Sequence, residues 1–75
     1  MSSASYFTDK IKNEGDVENL NDIMNDLNSL IDNISMKREK ALTETQKMNL
    51  STELKALKLV FSTGNKKLKE LNEIQ

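Results

Sequence analysis

Six apolar residues in the first half of the sequence are spaced alternately three and four positions apart. They are Val17, Leu20, Met24, Leu27, Ile31 and Ile34. This spacing keeps one stripe of an α-helix facing a partner helix. A second stripe follows at Leu50, Leu54, Leu57, Phe61, Leu68 and Leu71, shifted by two positions from the register of the first. One straight helix with one seam cannot absorb that shift, so the chain must bend, rotate or reverse in the polar zone between them.

The polar zone contains one good signal for a reversal, at residues 43–46. The Thr43 hydroxyl can accept from the Gln46 amide while the Gln46 side chain reaches back, which is the capping-box pattern of a helix start. A competing reversal lies at residues 32–35, where Asn33 could cap one helix and Ser35 could begin the next. That second choice gives three helices of unequal length. We favour the turn at Thr43, because it brings the two stripes into register along their length.

The distribution of charge supports the same turn. The net charge is −1, but residues 1–35 hold 2 basic and 7 acidic groups, whereas residues 36–75 hold 9 basic and 5 acidic groups. Residues 16–34 carry no basic group, and residues 54–69 carry no acidic one. A turn at Thr43 places these two stretches side by side. Exposed ion pairs contribute only about a few tenths of a kcal/mol each. Charge therefore selects the orientation of the two helices, and burial of the apolar stripes stabilises the hairpin.

We therefore predict an all-α fold, an antiparallel helical hairpin of two long amphipathic helices in residues 16–75, which associates into a larger helical bundle. Asp16 is a suitable N-cap for the first helix. The pair Gly64-Asn65 can kink or end the second arm, which allows a short third helix after Gly64.

Residues 1–15 are predicted to be a flexible N-terminal segment. The spacing of Tyr6, Phe7 and Ile11 allows a short helix within it, from about Thr8 to Glu14.

The composition removes much of the chemistry that proteins use. The chain has no Cys, His, Trp or Pro, so it has no thiolate nucleophile, imidazole base or zinc-binding set of the usual kind. Asp22 and Asp26 lie one helical turn apart, but two slim helices offer no cleft in which one carboxyl could act as an acid and the other as a base. We expect no enzymatic activity, no cofactor and no specific metal site.

Several apolar residues lie off the two stripes and would remain exposed to solvent in an isolated hairpin. They are Ile23, Leu30, Leu59, Val60 and Ile74. Small domains without disulfides or metals commonly gain the missing stability by association. These five residues are our predicted partner-binding site, and the partner is another protein, a second copy of the chain, or both.

The function that this pattern favours is a small non-enzymatic protein–protein interaction module that acts as an adaptor, chaperone or inhibitor. A self-assembling structural subunit, either a four-helix-bundle dimer or a filament or secretion-apparatus component, is the first alternative. A nucleic-acid-binding accessory protein is the second. It would use a basic ridge of Lys55, Lys58, Lys66 and Lys69.

The two amphipathic arms and polar tip resemble the small helical-hairpin subunits and co-chaperones of bacterial secretion machines, and equally short phage proteins that bind and block a host enzyme. The Pro-bearing tip loop of needle subunits is absent, and no motif separates the two classes. No apolar run approaches the roughly 18 residues that cross a bilayer. The start of the sequence lacks the pattern of a Sec signal, which favours the cytoplasm, with non-Sec secretion or a phage protein in the host cytoplasm as other possibilities.

Overall fold

The structure, a computed structural model, describes residues 2–74 and contains three helices within them. Helix α1 is Ser3–Asn13, α2 is Val17–Lys40 and α3 is Glu44–Ile74. The predicted all-α antiparallel hairpin is confirmed as α2 packed on α3, and α1 packs against both. The molecule measures 47 × 19 × 15 Å. Its long dimension is that of α3, since a helix rises about 1.5 Å per residue.

The reversal between α2 and α3 lies at residues 41–43, so the turn predicted at Thr43 is confirmed. Thr43 Oγ1 accepts from the Gln46 amide at 3.1 Å, and Gln46 Oε1 accepts from the Leu42 amide at 3.1 Å. The Gln46 side chain thus reaches one residue beyond the position of a standard capping box. Helix α2 runs without interruption through residues 32–35, so the competing reversal there does not occur.

A three-residue linker joins α1 to α2. Asp16 caps α2 as predicted, with its Oδ1 accepting from the Asn19 amide at 3.0 Å. Glu14 Oε1 accepts from the Asp16 amide at 3.2 Å. Gly15 does not adopt the left-handed conformation of a helix C-cap, because no residue in 2–74 has a positive φ. Side-chain hydrogen bonds within the linker therefore hold the end of α1 beside the start of α2.

The hydrophobic core combines five residues of the first predicted stripe, two of the second and two of α1, and the other four residues of the second stripe are partly buried against it. Its buried members are Phe7, Ile11, Leu20, Met24, Leu27, Ile31, Ile34, Leu54 and Leu57. Leu20, Leu27 and Leu57 are fully buried, and burial of such a side chain is worth about 1.5–3 kcal/mol. No polar side chain in the described part of the chain is buried.

The segment 1–15, for which the sequence allows a short helix within a flexible stretch, contains helix α1. The helix begins at Ser3, earlier than the expected Thr8, where the Ser2 hydroxyl caps it by accepting from the Ser5 amide. Phe7 and Ile11 lie one turn apart on its inner face and are both buried. The chain therefore supplies from its own N-terminus part of the additional helical surface that we expected from a partner.

The prediction that the second arm kinks or ends at Gly64-Asn65 is wrong. No separate helix follows Gly64 in the described residues. Helix α3 passes through this position without interruption, and Gly64 is buried. A Cβ at Gly64 would lie 2.8 Å from Met24 Cε, closer still to Met24 Sδ, and 3.0 Å from Ile11 Cδ1. A side chain at Gly64 would therefore have to displace the ends of the Met24 and Ile11 side chains, which pack directly on the glycine.

Gly64→Leu should therefore destabilise the fold even though leucine is the better helix former. Overpacking of a filled core typically costs about 1–3 kcal/mol, against up to about 1 kcal/mol gained in helix propensity. The matched control is Asn65→Leu at the exposed neighbouring position. Urea unfolding followed by circular dichroism should give a lower midpoint for Gly64→Leu only. Equal midpoints for the two variants would contradict the close approach at Gly64.

Candidate partner-binding surface

Helix α1 covers the base of the hairpin, the end opposite the turn, and creates a groove on each of its sides. The α1–α2 groove has a volume of about 420 Å³ and the α1–α3 groove one of about 410 Å³. Because α1 has 11 residues and α3 has 31, α1 spans about a third of the hairpin's length. The two grooves are consequently confined to the base.

The α1–α3 groove is the more apolar of the two. Leu59 forms one of its walls and is 71% exposed, while Val60 beside it is half-buried and Ile11 lies below them. Its full lining is Thr8, Ile11, Lys12, Leu59, Val60, Thr63 and Lys67. From Leu59 to Lys67 the wall covers about 12 Å, or roughly two helical turns. This length matches the contact of a short amphipathic helix laid in a groove.

Lys67 fixes the end of α1 against α3. Its ammonium donates a short hydrogen bond to the Ile11 carbonyl and a second one, at 2.9 Å, to the Lys12 carbonyl. The last carbonyls of a helix have no intrahelical partner, and a positive charge at that end is favourable. Lys67 therefore satisfies the C-terminus of α1 and closes one end of the α1–α3 groove.

The α1–α2 groove is mostly polar. Ile23 is its single aliphatic member, and the remaining lining residues are Tyr6, Asp9, Lys10, Asn13 and Glu14. The Lys10 ammonium lies 5.2 Å from the centroid of the Tyr6 ring, within cation–π range, and Tyr6 packs edge-on against Phe7. These contacts lie on the outer surface of α1, and the α1–α2 groove offers a partner less apolar surface than the α1–α3 groove does.

The five residues predicted to bind a partner do not form one surface. Leu59 and Val60 lie together in the α1–α3 groove. Ile23 is half-buried on the opposite side of α1, and Leu30 is half-buried against the core farther along the hairpin. Ile74 is 80% exposed at the end of α3 and lines neither groove. The groove thus contains two of the five, on the same helix.

Five groove residues were not predicted from the sequence: three on α1, together with Thr63 and Lys67 on α3. Thr8, Ile11 and Lys12 fall in the segment predicted to be flexible, and Lys67 belongs in sequence to a row of basic residues. The spacing of Ala4, Phe7 and Ile11 by three and then four positions is the signal that could have identified the buried face of α1.

The acidic stretch of α2 and the basic stretch of α3 lie on adjacent helices, but no ion pair crosses between them. Within residues 2–74, the one pair of oppositely charged side chains whose nitrogen and oxygen lie within 4.0 Å of each other is Lys47 and Glu44, on the same helix, at 3.9 Å. The lysines at positions 55, 58, 66 and 69 are all exposed. Helix α3 consequently presents to solvent a basic surface beside the α1–α3 groove.

Searches among protein-family profiles, curated proteins and solved structures found no match to this chain. No group of three acidic side chains in the described part is arranged to hold a metal ion. None of the described helices is long and apolar enough to cross a membrane.

Lys67→Met should loosen α1 while leaving the hairpin folded, because it removes a charged donor and keeps most of the apolar side chain. Hydrogen bonds to charged groups contribute about 1.5–3 kcal/mol when buried, and the half-exposed position of Lys67 puts the expected loss near the lower figure. Hydrogen exchange should become faster in the amides of α1 and remain unchanged around Leu27. The control is Lys66→Met, at the exposed neighbouring position. Unchanged hydrogen exchange in α1 would show that Lys67 does not hold α1 against α3.

Proposed function

We propose that this protein is a non-enzymatic protein–protein interaction module whose binding surface is the α1–α3 groove. The observation that carries the proposal is the 71% exposure of Leu59 on the wall of that groove. An exposed aliphatic side chain beside an apolar groove fits the helix-in-groove mode of recognition, in which a partner helix packs its apolar face into the groove. Binding would act by occlusion or scaffolding, as in an adaptor, chaperone or inhibitor, without turnover.

The partner we propose is an amphipathic helix with acidic flanking residues. The length of the groove accommodates two apolar anchors about one turn apart. Lys12 and Lys67 lie in the groove itself, and Lys55, Lys58 and Lys66 extend the positive charge along α3. Complementary charge of this kind steers association and selects the partner, while the apolar anchors supply most of the affinity.

The same charges make a symmetric homodimer through this groove less favourable. Two copies related by a twofold axis would bring identical lysine-rich surfaces together. Nucleic-acid binding by these lysines has less support, because Phe61 packs against the core and Tyr6 and Phe7 lie on α1. The aromatic side chains that stack on bases are therefore absent from the basic surface.

Selection from a displayed library of helical peptides tests the proposal, because it requires no identified partner. The wild-type protein is the bait and Leu59→Asp is the counter-bait. We expect the enriched peptides to carry apolar residues three or four positions apart, flanked by Asp and Glu. They should bind Leu59→Asp at least tenfold more weakly, since a buried aliphatic anchor is worth about 1.5–3 kcal/mol.

Met48→Asp is the matched control, because Met48 is 69% exposed and lies far from the groove. Circular dichroism should show equal helicity for wild type and both variants. Enrichment of peptides that bind Leu59→Asp as well as wild type would reject the groove as the site. Sedimentation of the free protein at increasing concentration distinguishes the self-assembly alternative, which requires a mass that rises with concentration.

A further inference from the structure

The hairpin tip, at the opposite end from the groove, carries the most exposed large apolar side chain of the described residues. Leu42 is 93% exposed, and Met36 and Met48 near it are 55% and 69% exposed. Met36 precedes the end of α2 by one turn, and Met48 follows the start of α3 by one turn. All three therefore lie within about 8 Å of the tip along the hairpin axis.

Basic residues surround this apolar tip. Residues 36–48 contain Lys37, Arg38, Lys40 and Lys47 against Glu39 and Glu44, a local charge of +2. Glu44 is also the residue that pairs with Lys47. A shallow depression of about 510 Å³ places Lys37 and Lys40 beside Leu42 and Leu50. An exposed leucine flanked by two lysines suits an anionic lipid surface, with the stems of the lysines in the interface and their charges at the headgroups.

The backbone of the turn is also prepared for a less polar environment. The amide hydrogens of Leu42 and Gln46 are bonded to side chains within the turn. Those of Ala41 and Lys47 are bonded to the carbonyls of Arg38 and Thr43. Because an unpaired amide is costly to move out of water, these internal bonds lower the cost of placing the tip among lipid headgroups.

We propose that the hairpin tip is a docking site for an anionic membrane surface, with Leu42 inserted end-on and Lys37 and Lys40 at the headgroups. End-on entry by one helical turn submerges Leu42, Met36 and Met48 together, a depth typical of interfacial binding. Because the α1–α3 groove lies at the base, this inference does not depend on the function proposed for that groove.

Co-sedimentation with vesicles tests the proposal. The full-length protein should bind vesicles of phosphatidylcholine and phosphatidylserine, mixed in a roughly two-to-one ratio, and should not bind phosphatidylcholine alone. Leu42→Ser should weaken binding about tenfold, as expected for partial burial of one leucine. Lys37→Gln and Lys40→Gln should each weaken it about fivefold. Leu59→Ser, which changes an exposed leucine at the base, is the matched control and should bind as wild type does.

A fluorescence measurement gives an independent result, because the chain contains no Trp. Leu42→Trp should show a blue shift of its emission on anionic vesicles, and Leu59→Trp should show none. The proposal is overturned if the wild-type protein remains in the supernatant with anionic vesicles, or if Leu42→Ser binds them as well as wild type. The first of these results would instead favour a protein pocket as the receptor for Leu42.

Discussion

The apolar seam between α2 and α3, closed tightly at Gly64, determines the rest of the structure. Leu20, Leu27 and Leu57 are fully buried along it, and no polar side chain in the described residues is buried with them. Gly64 allows Met24 from α2 and Ile11 from α1 to reach the surface of α3 at the same point. Because the seam fixes the rotation of α3, it also decides that Leu59 faces outward, beside α1, and so creates the groove.

The hairpin could be predicted because the sequence signals that define it are local and, in the apolar stripes, repeated. Six residues from Val17 to Ile34 define one stripe, and Thr43 with Gln46 marks the turn. The position of α1 depends on a contact between residues more than fifty positions apart, Lys67 with Ile11 and Lys12, which has no periodic signature. The role of Gly64 could not be predicted for a similar reason, since a glycine that breaks a helix and one that admits a neighbouring helix look alike in sequence.

The candidate surface could be predicted only in part. Leu59 and Val60 are identifiable because they lie off the stripes, but the other wall of the groove belongs to α1. Ile23 and Leu30 fit the same sequence criterion, yet both are half-buried and packed against the core. A residue that lies off a two-helix seam can be covered by a third helix of the same chain, and periodicity within one helix does not reveal which are covered. The exposed tip at Leu42 has no sequence signal, because a single leucine in a turn forms no pattern.

Helix α1 docks on the hairpin at Gly64 within a single copy, and this contact makes the groove. Methyl NOE spectroscopy of the monomeric protein tests it most directly. Ile11 Cδ1 and Met24 Cε each lie within 3.0 Å of the point where a Cβ on Gly64 would be. We expect NOE cross-peaks between these two methyl groups and from each to the Gly64 α-protons. Absence of these cross-peaks, with Phe7 and Ile11 at random-coil chemical shifts, would contradict this docking of α1.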